Sequence, residues 1–186
     1  MTGIATRASP IAAVLAAHPA LWRGSELARV AVPSLPTGFP ALDAELPGAG
    51  WPTGTLTEIL PAHEGIGELR LLGPALARLS AAGRRLVWIA PPHRPYAPAI
   101  AAASIDLANL VIVRTRTPRE TLWATEQALA SRACGAVLTW TAAVTYPELR
   151  RVQLAAEASR ALAVLFRPQT ARARSEEHTS ELQSQR

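Results

Sequence analysis

Four short runs in this chain, "RLVWIA" (85–90), "NLVIVR" (109–114), "GAVLTW" (135–140) and "ALAVLF" (161–166), are apolar nearly from end to end. A strand with no polar face has to be covered on both sides, which is the condition of a mostly parallel sheet flanked by helices. A fifth strand-like run, "TLTEIL" (55–60), is bounded by Gly54 and Pro61. Helix-like stretches separate these runs. "LRLLGPALARLSAAG" sets Leu69, Leu72, Leu76 and Leu79 on one stripe, with a kink expected at Pro74 and a stop at Gly83. "PAIAAASI" reads as a short helix. In "TPRE" and "TYPE", Thr117 with Glu120 and Thr145 with Glu148 have capping-box spacing, and each contains a proline near the first helical position. They predict helices over 118–133 and 146–160. The fold class that follows is α/β. No internal repeat or low-complexity linker interrupts it.

Composition narrows the function classes. A length of 186 residues suits one domain, and 49% hydrophobic residues can bury a core. The net charge of +5 permits an acidic partner such as nucleic acid without demanding one. All 19 basic residues are arginine, and the aspartates are Asp43 and Asp106. A single cysteine, Cys134, excludes an internal disulfide and fits a reducing cytoplasm. No apolar run approaches the ~18 residues of a membrane span. The start, "MTGIATRASPIAAVLAAHPALW", faintly resembles a signal peptide, but His18 and Pro19 break its short apolar run. An N-terminal helical segment within 1–33, starting near Pro10, is the better reading. At the other end, a disordered tail is expected over 169–186. Within it, "RSEEHTSELQS" looks like the in-frame translation of a sequencing adapter, so 174–186 is expected to be an artefact and the native sequence to continue differently after about Ala173. Removing that stretch takes away two arginines and three glutamates, so the basic character belongs to the rest of the chain.

The chemistry turns on "LPAHEGIGELRLL" (60–72), placed between a strand-like and a helix-like run, where a phosphate loop would sit. Such a loop wraps backbone N–H groups around phosphates, puts a lysine on them and a hydroxyl on magnesium. Here Ile66 and Gly67 stand in the lysine and hydroxyl places, and Arg70 is the nearby cation. Gly65 and Gly67 could cradle an anion at a helix start, yet Glu64 and Glu68 would repel it. A structural turn is the favoured reading over a phosphate site. His63 and His93 could in principle bind a metal, but few Cys or Asp residues are nearby to join them. Cys134 lacks the context of a nucleophile and is expected to pack at a helix end. Trp88, Trp123 and Trp140 are expected to be core, whereas Trp22 and Trp51 are the better candidates for a partner surface. The pairs Arg84/Arg85, Arg114/Arg116 and Arg150/Arg151 could meet a phosphate backbone, although solvated surface is their default reading.

"SLPTGFPALDAELPGAGWPTGTLTEIL" (34–60) resembles the segment leading into the phosphate loop of RecA-type recombinases, sharing the threonine-glycine, Leu42–Asp43, Pro52, Gly54 and the Glu58–Ile59 strand. "LVWIAPPHRPYAPAIAAASIDLANLVIVR" matches the recombinase strand, helix and strand. "LWRGSELA", "GIGELRLL", "ETLWATEQAL" and "ACGAVLTW" are more similar to one branch, the ImuA family of RecA-like proteins associated with translesion DNA synthesis, itself related to the SulA cell-division inhibitors. The resemblance spans about Leu21 to Pro168 and implies a RecA-like α/β domain over 34–168. Because the family continues past "LFRP", it also implies a C-terminal truncation.

The resemblance also implies what is missing. The recombinase lysine and hydroxyl positions fall on Ile66 and Gly67, the water-activating glutamate on Pro92 beside a retained His93, and the magnesium-binding aspartate on Trp140. Phosphoryl transfer rests on such cations and an oriented water. The resemblance therefore implies a degenerate phosphate loop (Pro61, His63, Glu64, Gly65, Ile66, Gly67), no catalytic residue, no cofactor and no metal. The implied function is that of a cytoplasmic, non-catalytic accessory or adaptor protein of the SOS-induced mutagenic polymerase complex. Its implied partners are a Y-family polymerase-like protein and an error-prone replicative-type DNA polymerase, with contact to a RecA filament or DNA also open. The alternatives are an ATP-dependent RecA-like DNA-binding protein and a SulA-like inhibitor of the division GTPase.

Overall fold

The computed structural model describes residues 33–63, 65 and 67–169. The helical segment expected over 1–33 lies outside the described residues apart from Pro33, as does the tail expected over 169–186 apart from Gln169.

The chain opens with β1 (Ser34–Leu35), antiparallel to β2 (Trp51–Pro52), with helix α1 (Pro40–Glu45) between them. It then forms β3 (Leu56–Ile59), α2 (Glu68–Ala81), β4 (Arg85–Ile89), α3 (Ala97–Ala102), β5 (Leu110–Val113), α4 (Pro118–Ala130), β6 (Cys134–Trp140), α5 (Tyr146–Ser159) and β7 (Leu162–Phe166). The last five strands form one sheet in the order β3-β7-β6-β4-β5, and every pairing is parallel. All carboxyl ends therefore lie along one edge, where open α/β sheets bind ligands.

Side-chain alternation explains why the central strands had to be apolar throughout. Leu86, Trp88, Ala136, Leu138, Leu162, Val164 and Phe166 face one core, closed by Leu72, Ala75 and Leu76 of α2 and Ile100 of α3. Val87, Ile89, Val137 and Ala163 face a second core, closed by Leu122 and Leu129 of α4 and Val152 and Ala156 of α5. β6 and β7 thus pack on both faces. The outermost strand β5 does not, and Val111 and Ile112 are exposed. The exception inside the second core is Thr139, whose hydroxyl lies 2.9 Å from that of Thr125, while Thr125 donates to the Thr121 carbonyl at 2.8 Å. A buried hydroxyl is tolerated because it is paired.

The expected boundaries hold to within a few residues. α2 runs through Pro74, and α4 stops at Ala130, short of the expected 133. The threonine-glycine and Leu42–Asp43 residues before β3 have a structural role. The Thr37 N–H donates to Asp43 Oδ1 (2.8 Å), and the Thr37 hydroxyl oxygen accepts from the Phe39 N–H (3.0 Å). Gly38 has φ +87° and lies against Pro74, where a Cβ would come within 2.5 Å of the proline Cβ. Only glycine fits there. Asp43 therefore braces a turn.

The caps also differ in detail. The Thr117 hydroxyl oxygen accepts from the Glu120 N–H (3.2 Å), but the Glu120 carboxylate accepts from Arg116 rather than Thr117. At α5 the Glu148 carboxylate accepts from both the hydroxyl (2.7 Å) and the N–H (2.8 Å) of Thr145. Those bonds, the hydroxyl first, hold Glu148 below its ordinary value of 4.5. A carboxylate whose folded pKa is depressed adds stability above its unfolded pKa, and that contribution is lost as pH falls through the folded value. Replacing Glu148 by Gln should therefore lower stability at neutral pH and flatten the loss of stability as pH falls below about 4.5. Urea midpoints measured at several pH values check this, and identical acid limbs in the two proteins would contradict it.

Candidate functional site at the carboxyl edge of the sheet

The carboxyl ends of β3, β7, β6 and β4 meet around a cavity of about 320 Å³. Pro61 and His63 line it from the turn after β3, Ala90 and Pro92 from the loop after β4, Trp140 from the end of β6 with Thr141 just beyond it, and Phe166 from the end of β7 with Arg167 just beyond it. The fold thus brings together His63, Pro92 and Trp140, which sequence comparison placed on three separate motifs. Gly65 and Gly67 lie farther along the same turn. The side chains of Glu64 and Ile66 lie outside the described residues.

Aromatic rings fill the strand ends. Trp140 stacks on Phe166 with ring centroids 4.7 Å apart and planes 14° from parallel. Trp88 meets Trp140 edge-on at 6.2 Å. Parallel register sets this up, because Trp140 pairs with Phe166 at the ends of adjacent strands. Each such aromatic pair adds about 0.5–1.5 kcal/mol beyond its buried area.

One ion pair anchors the cavity. Arg167, 5% exposed, donates from Nη1 to Glu58 Oε1 at 2.9 Å, and its backbone N–H donates to the Ile59 carbonyl. Its Nε has no partner among the described residues. Sequence reasoning did not single out Arg167. The available signal was Glu58 itself: a carboxylate in a strand of a covered sheet needs a cation, and Arg167 directly follows the last apolar run.

The loop before α2 carries its own anion. The Glu68 carboxylate accepts from the N–H of Gly65 and from that of Gly67, each at 3.1 Å. Gly67, at φ +104°, is the residue that turns the chain into the helix. A carboxylate at this end also matches the positive pole of α2. Glu68, expected only to repel an anion, takes the N–H groups an anion would use.

Two tryptophan expectations are overturned. Trp123 is 63% exposed on α4, because the buried stripe of that helix is Thr121, Leu122, Thr125 and Leu129. Trp51, expected at a surface, is 5% exposed, since β2 turns it into the first core. Trp22 lies outside the described residues. Among the arginine pairs, Arg84 donates to the Cys134 carbonyl (3.2 Å) and Arg151 pairs with Glu126 (3.0 Å), whereas Arg114 and Arg116 are exposed. Cys134 is buried just past α4, near the expected helix end. No helix among the described residues is long and apolar enough to cross a membrane.

Five parallel strands with helices on both faces, and aromatic rings at the ends of the central strands, define an α/β protein with a mostly parallel, doubly covered sheet. The family model described as "Cell division inhibitor SulA" matches residues 54–163, and the chain belongs to that SulA family. It is 32% identical over 99 residues to the cell division inhibitor SulA of Edwardsiella piscicida, covering 53% of this chain and 59% of that protein. It is 30% identical over 134 residues to protein ImuA of Caulobacter vibrioides (strain NA1000 / CB15N), covering 69% of this chain and 55% of that one. The chain therefore spans little more than half the length of these curated relatives. The crystal structure of SulA from Pseudomonas aeruginosa shares the fold, with a TM-score of 0.52 at 21% identity over 61% of this chain and 97% of that one.

Replacing Arg167 by Ala should cost about 1–3 kcal/mol, because it leaves the half-buried Glu58 carboxylate without its charged hydrogen-bond partner. Urea unfolding measures this. An Arg167→Ala protein as stable as the parent would mean that the pair does not hold the strand ends together.

Proposed function

We propose that this chain acts by binding rather than by turnover, as an adaptor in a DNA-damage-induced translesion polymerase complex. The observation that carries the first half is the Glu68 carboxylate on the Gly65 and Gly67 N–H groups. A phosphate entering there would have to displace a resident anion and then face its charge. At the end of β6, where magnesium would need a carboxylate, Trp140 is stacked on Phe166. A magnesium nucleotide does not fit these residues, and phosphoryl transfer has neither its cations nor its water-orienting group. The loop is thus a degenerate phosphate loop kept as a structural turn.

The adaptor reading is supported by the ImuA likeness, which runs over 134 residues against 99 for SulA. Its partners would be a Y-family polymerase-like protein and an error-prone replicative-type polymerase, with a RecA filament or DNA as further contacts. Trp123, large, apolar and exposed on α4, is the natural anchor for such a contact. The second reading, a cell-division inhibitor, is favoured by the family match over 54–163.

The two readings separate in one experiment. The tagged chain, expressed in a cell that carries both polymerases and the division GTPase, should retain the polymerases on purification, and Trp123→Ala should weaken that capture. Capture of the GTPase with filamentous growth would instead establish the inhibitor. In either case ATP with magnesium, with or without single-stranded DNA, should show no binding up to roughly 1 mM. Tight magnesium-dependent binding would overturn the non-catalytic reading.

A further inference from the structure

The two edges of the main sheet are finished differently. The β3 edge carries a charge, Glu58, held by Arg167, and its Leu56 N–H is taken by Oε1 of Gln153 on α5 at 3.0 Å. At the other edge, no strand among the described residues pairs with the outer side of β5. That strand reads Leu110-Val111-Ile112-Val113, with no charge, proline or bulge to blunt it. The Val113 carbonyl accepts from the Ala90 N–H (2.9 Å), so the backbone groups of Val111 and Val113 point to β4. Those of Leu110 and Ile112 point outward. The side chains are open on both faces as well. Val111 shares the face of Val87 and is 40% exposed, and Ile112 shares the face of Trp88 and is 39% exposed. An apolar strand bare along its backbone and on both faces is a template for another strand.

We propose that a second copy of this chain pairs there, β5 against β5, antiparallel about a two-fold axis at Val111. An axis normal to the sheet keeps α4 of both copies on one face, so residues that meet must share a face and the axis must pass through a residue. At Val111, Leu110 of each copy exchanges both its hydrogen bonds with Ile112 of the other, and the two Val111 side chains meet in the closely spaced pair. An axis at Ile112 would instead set Leu110 against Arg114. Charge selects the antiparallel direction. The exposed Asp106 precedes the strand, and the exposed Arg114 and Arg116 follow it. Antiparallel pairing brings the basic end of each strand beside the acidic end of the other, whereas a parallel copy would bring arginines beside arginines. The assembly also closes at two, because the joined sheet has only the blunted β3 strands at its outer edges. It is compatible with either reading of the function.

Sedimentation equilibrium of the full chain tests this. At roughly 100 µM the parent should sediment as a dimer, and Val111→Lys should weaken association at least about tenfold with an unchanged unfolding midpoint. A parent that stays monomeric, or a dimer that the lysine does not weaken, overturns the proposal. If the lysine disturbs folding, disulfide trapping reads the same contact without adding charge. In a Cys134→Ala background, Val111→Cys should cross-link two copies about tenfold faster than Leu154→Cys, which replaces a comparably exposed residue on α5. Equal rates for the two cysteines would also overturn it.

Discussion

The structure depends on β6 and β7 being buried on both faces. Each of their side chains has to enter one of two helix-covered cores, which leaves no room for an unpaired polar group along either strand. The hydroxyl pair of Thr125 and Thr139 marks the limit of what that interior accepts. Polar function is thereby driven to the strand ends, and the parallel arrangement gathers those ends on one edge of the sheet. The order β3-β7-β6-β4-β5 then decides which loops meet there. The turn after β3 and the loop after β4, separated by the two central strands, come to line one cavity.

Most of this was legible in the sequence, because burial on both faces leaves a mark that needs no context: a short run with no polar alternate. The same logic explains the failures. Trp123 lies on a helix whose buried stripe is partly threonine, so its aromatic ring was the misleading signal and Thr121 and Thr125 were the true one. Trp51 sits in a two-residue strand that has too little length to show a period, and only its pairing with Leu35 carries it inward. Arg167 was signalled only indirectly, by a strand carboxylate that needs a cation, and it is the register aligning β7 with β3 that makes it the partner of Glu58. Glu68 was recognised as a charge, but its orientation toward the Gly65 and Gly67 N–H groups is a matter of loop geometry that a string of letters does not carry.

Trp88 meets Trp140 at the strand ends and also lines a concavity between α2 and α3. Its buried ring thereby ties the aromatic strand ends to the packing of α2 and α3. Surfaces preorganised by such packing lose less entropy on association.

The carboxylate seated on the loop before α2 bears on how such a protein could change over generations. A lysine arising at position 66 would not by itself make a phosphate site, because Glu64 and Glu68 both lie two residues away in sequence and Glu68 already occupies the N–H groups of Gly65 and Gly67. A phosphate site here would require the resident acid to be lost before such a lysine is useful, and losing it first leaves the N–H groups of Gly65 and Gly67 without that partner. Each single step is unrewarded, so the loop is held in its present state as by a ratchet.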